Sequence, residues 1–459
     1  MEGAFDMKKI GTPGLNTTLA GIEFRSPIGV GAIGKPWGKN VTPSEHAEIL
    51  LRHVESGAGY ICIPTCWYLT AETREKLQET ARRERRSIPV HPKQMRAIKI
   101  QTPVSPYGLE GMYLIIAPFW NDLAWSDQVS AHSEELTKIL SEKKPNDVRL
   151  IANVGGLGSL PETYVDGALK WQELGADLIE INVSCGLPPT MAGAVEDFME
   201  KKFPPRFQGA LLGDQIDIVE EIVKNVVKRV KIPVGVKISP ETGFPRVVEL
   251  ARRIRNAGGQ WINATNVAVG IAPPDIYNRG RPLWPFADGN PFVSASGSWL
   301  RIKCYTDVAA IARFVPGIDI AAAGGLVLPE HVVEVMMLGA RLIQLCTGVI
   351  ERGRKLIRLC DSFLKRFMIE QGYKTVEEII GLGQQYIKYN EDVDLMAGKI
   401  IAETDEIKCD GCGACVDNIC IARYREKKIV KTREEKCAGC GGCILACPNN
   451  AIKLVQIST

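Results

Sequence analysis

The chain has 459 residues and a formal net charge of +3, with 24% charged and 45% hydrophobic residues. This length exceeds one ordinary domain and the composition is that of a soluble globular protein, while the small net charge gives no global argument for binding nucleic acid or an anionic membrane. No apolar run approaches the roughly 18–20 residues of a membrane-spanning helix, and the amino-terminal segment MEGAFDMKKIGTPG lacks the apolar stretch of a secretory signal. We therefore expect a cytoplasmic protein without a membrane span.

Residues 20–350 alternate short runs rich in β-branched residues with amphipathic helical stretches, which is the pattern of βα units around a parallel sheet. We predict eight strands, in the segments 26–34, 59–65, 149–156, 177–184, 233–239, 260–267, 318–325 and 340–348. A ninth apolar run, 111–120, lies in a Pro-rich insert after the second unit. Eight such units predict an α/β fold, a (β/α)8 TIM barrel over residues 1–395. A doubly wound open sheet is the alternative, but no G-x-G-x-x-G follows the first strand to favour it.

The segment ETREKLQETARRERRSIPVHPKQMR (72–96) is strongly basic and follows the second predicted strand. A solvated helix with ion pairs four residues apart is the favoured interpretation. A surface for an anionic substrate arm, such as a coenzyme A ester, or for a partner subunit is the alternative.

Three polar residues end other predicted strands between apolar neighbours: Asn182 in IEINVSC, Lys237 in VGVKISP and Asn266 in INATNVAV. Each of them taken alone could be a buried polar group that nearby backbone satisfies. Because the strand ends of a barrel meet at one mouth, we expect the three side chains to lie together. Carboxamides there can hold a flat, amide-bearing molecule through paired donors and acceptors.

Two Gly-containing loops follow the seventh and eighth predicted strands, where barrels often bind phosphate. Gly324 and Gly325 would let backbone N–H groups approach an anion, and Thr347 with Gly348 begins a helix whose amino end favours negative charge. A Gly-Gly pair alone is as often only a tight turn, so the predicted phosphate site depends on both loops.

Eight of the fourteen cysteines lie in the last 51 residues, within KCDGCGACVDNIC (408–420) and CAGCGGCILACP (437–448). The second segment has the C-x2-C-x2-C-x3-C-P spacing of iron–sulfur ligands, and the first repeats it with one more residue in the last gap and no proline. As in two-cluster ferredoxins, each cluster would take its fourth ligand from the other repeat. We predict a ferredoxin-like domain over 396–459 with two [4Fe-4S] clusters. Their ligand sets are Cys409, Cys412, Cys415 with Cys447, and Cys437, Cys440, Cys443 with Cys420.

A pair of zinc sites is the alternative, because C-x2-C pairs also bind zinc and eight cysteines suffice for two tetrahedral sites. The third cysteine at the same spacing and the C-P ending favour iron–sulfur clusters. Clustering at two-residue spacing in a chain expected in the cytosol argues against disulfides.

Seven segments that span nearly the whole barrel region are SPIGVGA, LGADLIEINVSC, VGVKISP, INATNV, SGSWLRIKCYTDVAAIAR, AAAGGL and GARLIQLCTGVIERG. In this order they resemble the flavin-binding barrel of the dihydroorotate dehydrogenase family. Within that family the likeness is strongest to the dihydropyrimidine dehydrogenases, whose bacterial barrel subunit also carries a two-cluster ferredoxin tail.

The resemblance implies FMN over the barrel mouth, with an ammonium group that stabilises the reduced flavin. The positions that match cofactor contacts are Gly31, Ala32, Thr65, Lys237, Gly297, Gly324, Gly325, Cys346 and Thr347. The positions that match substrate contacts are Asn182, Ser184 and Asn266.

Three positions depart from the family's pattern. Leu212 stands where the dihydropyrimidine enzymes carry a cysteine acid, Pro64 stands where the family has a lysine, and Ser159 stands where it has an asparagine. Hydride transfer to or from an activated C=C bond needs a proton moved at the neighbouring carbon. The remaining candidates for this catalytic role are Cys185 and Asp214, although Cys185 could equally be a small buried side chain and Asp214 a helix N-cap.

We therefore expect an oxidoreductase acting on CH–CH groups, which transfers a hydride between FMN and an unsaturated cyclic or conjugated carbonyl substrate. The clusters would exchange electrons with an NAD(P)H-using flavoprotein subunit or a ferredoxin, since the chain has no dinucleotide-binding motif. Dihydropyrimidine dehydrogenation is typical of the enzymes that the chain resembles. Because of the three departures, a reductase for another unsaturated substrate is an expectation of nearly equal weight. One alternative is an electron-transfer subunit of a larger complex without its own substrate, and another is a barrel that no longer binds flavin. We expect a homo- or hetero-oligomer.

Overall fold

The computed structural model describes residues 13–33, 41–83, 96–100, 112–116, 123–156, 160–184, 213, 215–271, 273–282, 292–393, 399–417 and 420–457. These residues form two compact units, of which one reaches Gln385 and the other begins at Tyr386. The boundary predicted between 395 and 396 lies outside the described residues.

Strands and α-helices alternate along much of the described chain. The strands are β1 (Thr17–Leu19), β2 (Ile22–Phe24), β3 (Ile28–Val30), β4 (Tyr60–Cys66), β5 (Arg96–Ile100), β6 (Met112–Ile116), β7 (Arg149–Val154), β8 (Leu178–Asn182), β9 (Val234–Lys237), β10 (Trp261–Ala264), β11 (Ala268–Ile271), β12 (Phe292–Gly297), β13 (Asp319–Ala323), β14 (Leu342–Leu345), β15 (Lys399–Thr404), β16 (Arg423–Glu426), β17 (Ile429–Thr432) and β18 (Ile452–Ile457). The α-helices are Pro43–Glu55, Ala71–Arg83, Leu123–Lys143, Pro161–Glu173, Ile216–Val227, Arg246–Asn256, Arg301–Phe314, Pro329–Met337, Thr347–Arg352, Lys355–Gln371, Ala414–Asp417 and Gly442–Leu445.

Eight parallel strands of the larger unit close into a barrel in the order β3-β4-β7-β8-β9-β10-β13-β14, and β14 pairs back onto β3. Each overlaps one of the eight segments predicted from the sequence, so the (β/α)8 prediction is confirmed and the open-sheet alternative is wrong. The ninth apolar run contains β6, which belongs to a separate four-stranded sheet, β11-β12-β6-β5. That sheet is antiparallel throughout and inserts between the barrel strands in sequence.

Successive side chains of a barrel strand point alternately to the surrounding helices and to the barrel interior, because side chains alternate between the two faces of a strand. Ile61, Ile179 and Val236 pack in one buried cluster with residues of the surrounding helices, such as Leu50 and Trp171. The intervening residues face the barrel interior. The strand pattern therefore separates an apolar layer under the helices from an interior that can carry polar groups.

The amino-terminal end of the barrel interior is apolar and closed by the β1–β2 hairpin. Leu19 and Phe24 of this hairpin form a buried cluster with side chains at the start of the strands: Tyr60, Cys62, Ile151, Leu178, Trp261, Ala321 and Leu342. Gly235 makes room for one of them, because a Cβ there would lie 2.2 Å from the indole ring of Trp261. Ligand access is thereby confined to the carboxyl end of the strands.

The helix Ala71–Arg83 covers the first half of the basic segment. Its Lys76 pairs with Glu72 one turn away at 2.6 Å, and both side chains are exposed. The prediction of a solvated helix with i,i+4 ion pairs is confirmed there, while residues 84–95 lie outside the described part. Within the described ranges no helix has the length and apolar character needed to cross a membrane.

The smaller unit contains two antiparallel strand pairs, β15 with β18 and β16 with β17. A short helix follows the first cysteines of each repeat, at Ala414–Asp417 and at Gly442–Leu445. Cys415 and Cys443, one from each helix, are buried in a small core with Ala402, Val430 and Ile452. The two cysteine repeats thus share one core.

Candidate active site and cysteine-rich metal sites

A buried carboxylate lies within the barrel interior. Glu180 of β8 is 0% exposed, and its Oε2 accepts hydrogen bonds from Asn263 Nδ2 at 2.8 Å and Gln344 Nε2 at 2.6 Å. Its Oε1 accepts from Asn153 Nδ2 and, at 3.6 Å, from the Cys62 thiol. Burial, with the charge of Glu180, raises the pKa of that thiol well above its usual range, so that it stays a donor. Donors from four other strands therefore compensate the carboxylate.

A second polar layer continues from Asn153 to the mouth of the barrel. Thr65 Oγ1 donates to Asn153 Oδ1 at 2.6 Å, and Asn182 Nδ2 donates to Asn153 Oδ1 at 2.9 Å and to Thr65 Oγ1 at 3.1 Å. Asn182 Oδ1 in turn accepts from Asn266 Nδ2 and from the backbone N–H of Ser184, each at 3.1 Å. The structure thus brings four of the predicted site residues into direct hydrogen-bonding contact.

Lys237 ends β9 at the same level of the barrel. It is 7% exposed, and its register neighbours are Asn182 on β8 and Asn263 on β10. Its ammonium has no hydrogen bond or ion pair with any other residue in the described part of the chain. Burial raises the pKa of the nearby Cys346 thiol, and the Lys237 charge opposes that rise. Because a buried cation without a partner is costly, the position suits a ligand with an electron-rich edge.

Gly31 and Ala32 follow β3 and face the ends of β14. A Cβ on Gly31 would lie 3.3 Å from Gln344 Oε1 and 3.6 Å from Cys346 Cβ. Ala32 is half-buried beside it. The absence of a side chain at Gly31 keeps the space over Gln344 open.

Three backbone segments meet at the ends of β13 and β14, and they carry the predicted cofactor contacts Gly297, Gly324, Gly325, Cys346 and Thr347. Gly325 has φ +74°, and a Cβ there would lie 2.3 Å from the backbone nitrogen of Arg301, at the start of the helix Arg301–Phe314. Thr347 Oγ1 donates to Ser296 Oγ at 3.2 Å, which ties the third segment to β12. The arrangement brings the backbone of three segments together at the ends of β13 and β14, where barrels often bind phosphate.

Several buried polar atoms at the mouth have no hydrogen-bond partner among the described residues. They include Ser184 Oγ and Gln344 Oε1. Asn266 Nδ2 donates one of its N–H groups to Asn182 Oδ1, and the other N–H has no acceptor among the described residues. Donors and an acceptor that converge in this way fit a flat heterocycle with amide-like edges, such as a flavin ring.

Both predicted proton donors, Cys185 and Asp214, lie outside the described residues, as do the departures Leu212 and Ser159. Gln215, not Asp214, occupies the N-cap position of the helix Ile216–Val227, so the prediction of Asp214 as an N-cap is wrong. The neighbouring Gly213 lies against the barrel mouth. Its carbonyl accepts from Thr242 Oγ1 at 3.1 Å, and a Cβ on it would lie 2.7 Å from Ser239 Cβ. The third departure, Pro64, is buried within β4.

Four polar residues of the barrel interior were not singled out from the sequence: Asn153, Glu180, Asn263 and Gln344. Each is a polar residue within an apolar strand, in IANV, LIEIN, WINA and LIQL. The same signal identified Asn182 and Lys237. These four were missed because they lie before the strand ends rather than at them.

The first predicted cluster ligand set is assembled in the smaller unit. Cys409, Cys412, Cys415 and Cys447 all line one recess. The backbone N–H of Ala451 donates to Cys447 Sγ at 3.3 Å, the kind of contact that stabilises a thiolate ligand. The recess therefore joins three cysteines of the first repeat to the last cysteine of the second, as the crossed assignment predicts.

Of the second set, Cys437, Cys440, Cys443 and Cys420, Cys443 is buried in the shared core and Cys437 packs against it. Burial raises the pKa of the Cys443 thiol, and Cys420 is close enough to add to that rise. The Ala402 N–H donates to Cys437 Sγ at 3.4 Å. Across the described ranges no three His, Cys, Asp or Glu side chains converge on a single point.

The barrel and the cysteine-rich segment each match a known family. The model of the family described as dihydroorotate dehydrogenase matches residues 126–368. The model described as a 4Fe-4S binding domain matches residues 430–453, which contain the second cysteine repeat.

Curated relatives include enzymes of pyrimidine metabolism. The chain is 30% identical over 261 residues, 56% of its own length and 74% of the other, to the catalytic subunit of dihydroorotate dehydrogenase B (NAD(+)) from Methanocaldococcus jannaschii. It is 26% identical over 297 residues, 63% of its length and 66% of the other, to the subunit PreA of the NAD-dependent dihydropyrimidine dehydrogenase from Escherichia coli.

A solved structure shares the fold. The crystal structure of a dihydroorotate dehydrogenase from Eimeria tenella in complex with ferulenol superposes with a TM-score of 0.53. It is 16% identical and covers 83% of this chain and 92% of the other. The family model spans more than half of the chain, and its match covers six of the eight barrel strands, from β7 to β14. The chain therefore belongs to the dihydroorotate dehydrogenase family of oxidoreductases, with a 4Fe-4S binding segment near its carboxyl end.

Proposed function

We propose that the chain is an oxidoreductase that uses FMN and two [4Fe-4S] clusters to transfer electrons between an unsaturated carbonyl substrate and a redox partner. The observation that carries the proposal is the buried, unpartnered ammonium of Lys237 at the mouth of the barrel. When bound, FMN would supply hydride transfer and the exchange of electron pairs for single electrons, and the clusters would carry the single electrons.

The residues at the mouth support FMN binding. Lys237 would donate to an electron-rich edge of the ring, and Gly31 leaves room for the ring beside Gln344. The segments at Gly325 and Thr347 would hold the phosphate through backbone N–H groups. Thr65 sits between the amides of Asn153 and Asn182, and fixes that side of the pocket.

The substrate would be a cyclic or conjugated carbonyl compound held over the polar layer. Asn266 offers one unused N–H and Ser184 offers an unpartnered hydroxyl, so that both can bind a carbonyl or ring nitrogen. All hydrogen-bonding positions of the Asn182 amide are occupied by protein groups, and Asn182 would orient Asn266. Cys185 and Asp214 remain the proposed proton donors. The proton would be transferred at the substrate carbon next to the one that takes part in hydride transfer.

The two clusters would take the crossed ligand sets, with Cys447 completing the first and Cys420 the second. The recess that unites Cys409, Cys412, Cys415 and Cys447 supports this pairing. The partner would be an NAD(P)H-using flavoprotein subunit or a ferredoxin. The two relatives named as acting with NAD are consistent with a nicotinamide-using partner.

A second function from another class is an electron-transfer subunit without its own substrate. Pro64, buried in β4 where related enzymes have a lysine, favours it because the change removes a charge from the mouth.

Anaerobic reoxidation of the photoreduced protein separates the two functions. The panel of oxidants is uracil, thymine, orotate and an α,β-unsaturated acyl thioester, with a ferredoxin in a parallel arm. We expect at least one small molecule to reoxidise the flavin in wild-type protein and to fail in Lys237→Met. If the ferredoxin reoxidises the flavin and no small molecule does, the chain is an electron-transfer subunit.

A further inference from the structure

The smaller unit buries an arginine between its two cysteine sets. Arg423, the first residue of β16, is 2% exposed. It lines the recess formed by Cys409, Cys412, Cys415 and Cys447. It also donates to the carbonyl of Ala402, and the backbone N–H of the same residue donates to Cys437 Sγ of the other set at 3.4 Å. One cation therefore faces both predicted cluster sites.

The protein partners of this guanidinium are all neutral. Its nitrogens donate to the carbonyl of Ala402 at 3.3 Å, to Thr404 Oγ1 at 2.6 Å and to Thr432 Oγ1. Its Nε has no partner, and no carboxylate pairs with it among residues 399–417 and 420–457. Lys303, by contrast, pairs with the buried carboxylate of Asp307.

A fully buried charge among neutral oxygens is costly, because several kcal/mol of hydration are lost for each ion. Neutral hydrogen bonds satisfy the donors but do not neutralise the charge. The groups nearest to Arg423 that become negative when they bind metal are the cysteines of the two sets. A cubane with four thiolate ligands has a net negative charge. The charge becomes more negative by one unit when the cluster accepts an electron.

From this geometry we propose that Arg423 is a positioning residue that acts as the internal counter-charge of both clusters and raises their reduction potentials. The inference rests on the proposed two-cluster function and extends it to a residue outside the ligand sets. A cation held close in a medium of low dielectric constant stabilises the reduced, more negative cluster over the oxidised one. In a cluster-free chain the same charge destabilises the shared core.

The test compares Arg423→Lys, which keeps the charge, with Arg423→Gln and Arg423→Met, which remove it. Arg433→Gln is the matched control, because Arg433 lies after the same hairpin but is exposed, and among the described residues its side chain contacts the Ile421 carbonyl and the Tyr424 ring. Iron and acid-labile sulfide are determined for each full-length, anaerobically purified protein. Dithionite titrations followed by EPR spectroscopy then give the midpoint potential of each cluster.

We expect both midpoint potentials to shift downward in the Gln and Met variants and to stay near wild type in the Lys variant and in the control. If the two neutral variants have wild-type iron content and unchanged midpoint potentials, the inference about Arg423 is wrong. The two-cluster proposal would still stand. If the neutral variants lose iron, a Lys variant that retains it supports the inference. A Lys variant that also loses it shows that hydrogen bonds rather than charge hold the site. A wild-type chain without iron would instead remove the two-cluster proposal and this inference together.

Discussion

Two buried charges of opposite sign define the barrel interior at the scale of single residues. Glu180 accepts hydrogen bonds from Asn153, Asn263, Gln344 and Cys62, whereas Lys237 has no partner in the described chain. A buried charge that protein groups compensate is part of the folded core. A buried charge without a protein partner is expected to bind a ligand. The two residues therefore respond differently to substitution.

Replacing Lys237 with Met removes the unpartnered charge at similar side-chain length. We expect the flavin-free variant to melt at a higher temperature than flavin-free wild type, because the desolvation cost disappears. The same variant should bind FMN at least about tenfold more weakly, or ~1.4 kcal/mol. Thermal scans and FMN titrations measure the two effects, with the exposed Lys76→Met as control. A destabilised flavin-free variant would contradict the assignment.

Replacing Glu180 with Ala leaves three amide donors without an acceptor, at about 1–3 kcal/mol each. Glu180→Gln should cost much less. Its amide oxygen can accept from Asn153. Its nitrogen can donate to Asn263 Oδ1 and Gln344 Oε1, which have no partner among the described residues, once both side-chain amides flip, because their nitrogens face residue 180 in the wild type. Urea denaturation should rank the free energy of unfolding as wild type, then Gln, then Ala. Equal losses in both variants would show that charge, not hydrogen bonding, is what the site needs.

At the scale of elements, the eight barrel strands could be predicted from the sequence because each is a short apolar run between helical stretches. The extra sheet could not, since β5, β6, β11 and β12 come from distant parts of the chain and pair only in three dimensions. The strand-end residues Asn182, Lys237 and Asn266 were predictable from position alone. The polar layer below them was not, because the contacts of Glu180 depend on the register of five strands.

The loop after β13 gives a prediction about phosphate binding. Gly325 and Gly353 have similar positive φ angles, 74° and 71°, but only a Cβ on Gly325 would strike the backbone of Arg301, while that on Gly353 meets nothing within 4 Å. Gly353→Ala should cost about 1–3 kcal/mol of stability, because φ 71° with ψ 178° is a backbone conformation almost confined to glycine, and should leave FMN affinity unchanged. Gly325→Ala should separate the phosphate segments and weaken FMN binding severalfold. Equal FMN dissociation constants for both variants would argue against a phosphate site there.

The same loop carries a pH-dependent contact. His331 is buried, its Nδ1 accepts from the backbone N–H of Val327 at 3.1 Å, and burial together with the charges of Arg301 and Arg352 lowers its pKa to about 3. The unfolded chain binds a proton there near pH 6.5 and the folded chain does not, so the stability contributed by neutral His331 is lost as pH falls from about 6.5 toward 3.

His331→Asn keeps an acceptor for the Val327 N–H but does not titrate. The stability advantage of wild type over this variant should shrink below pH 6.5 by up to about 1.4 kcal/mol per pH unit. Denaturation of both proteins at pH 7 and pH 5 measures the change. A difference that stays constant between the two pH values would exclude His331 as the titrating group.

At the scale of the whole molecule, one chain combines a barrel with an unpartnered cation at its mouth and a smaller unit whose cysteines share a core. The cysteine spacing predicted the smaller unit, because metal ligands are set by local sequence more than by long-range packing. The identity of the substrate could not be predicted from the sequence in the same way. The proposed proton donors Cys185 and Asp214 lie outside the described residues. The central claim is therefore that flavin and two clusters occur together in this chain.

Cofactor content measures that claim most directly. The full-length protein is purified anaerobically, and flavin released by acid, iron and acid-labile sulfide are each determined per chain. The proposal predicts about one FMN and about eight irons with matching sulfide, since each cubane holds about four irons. A chain with about four irons would contradict the crossed two-cluster assignment, and a chain without flavin would contradict the assignment of the barrel mouth.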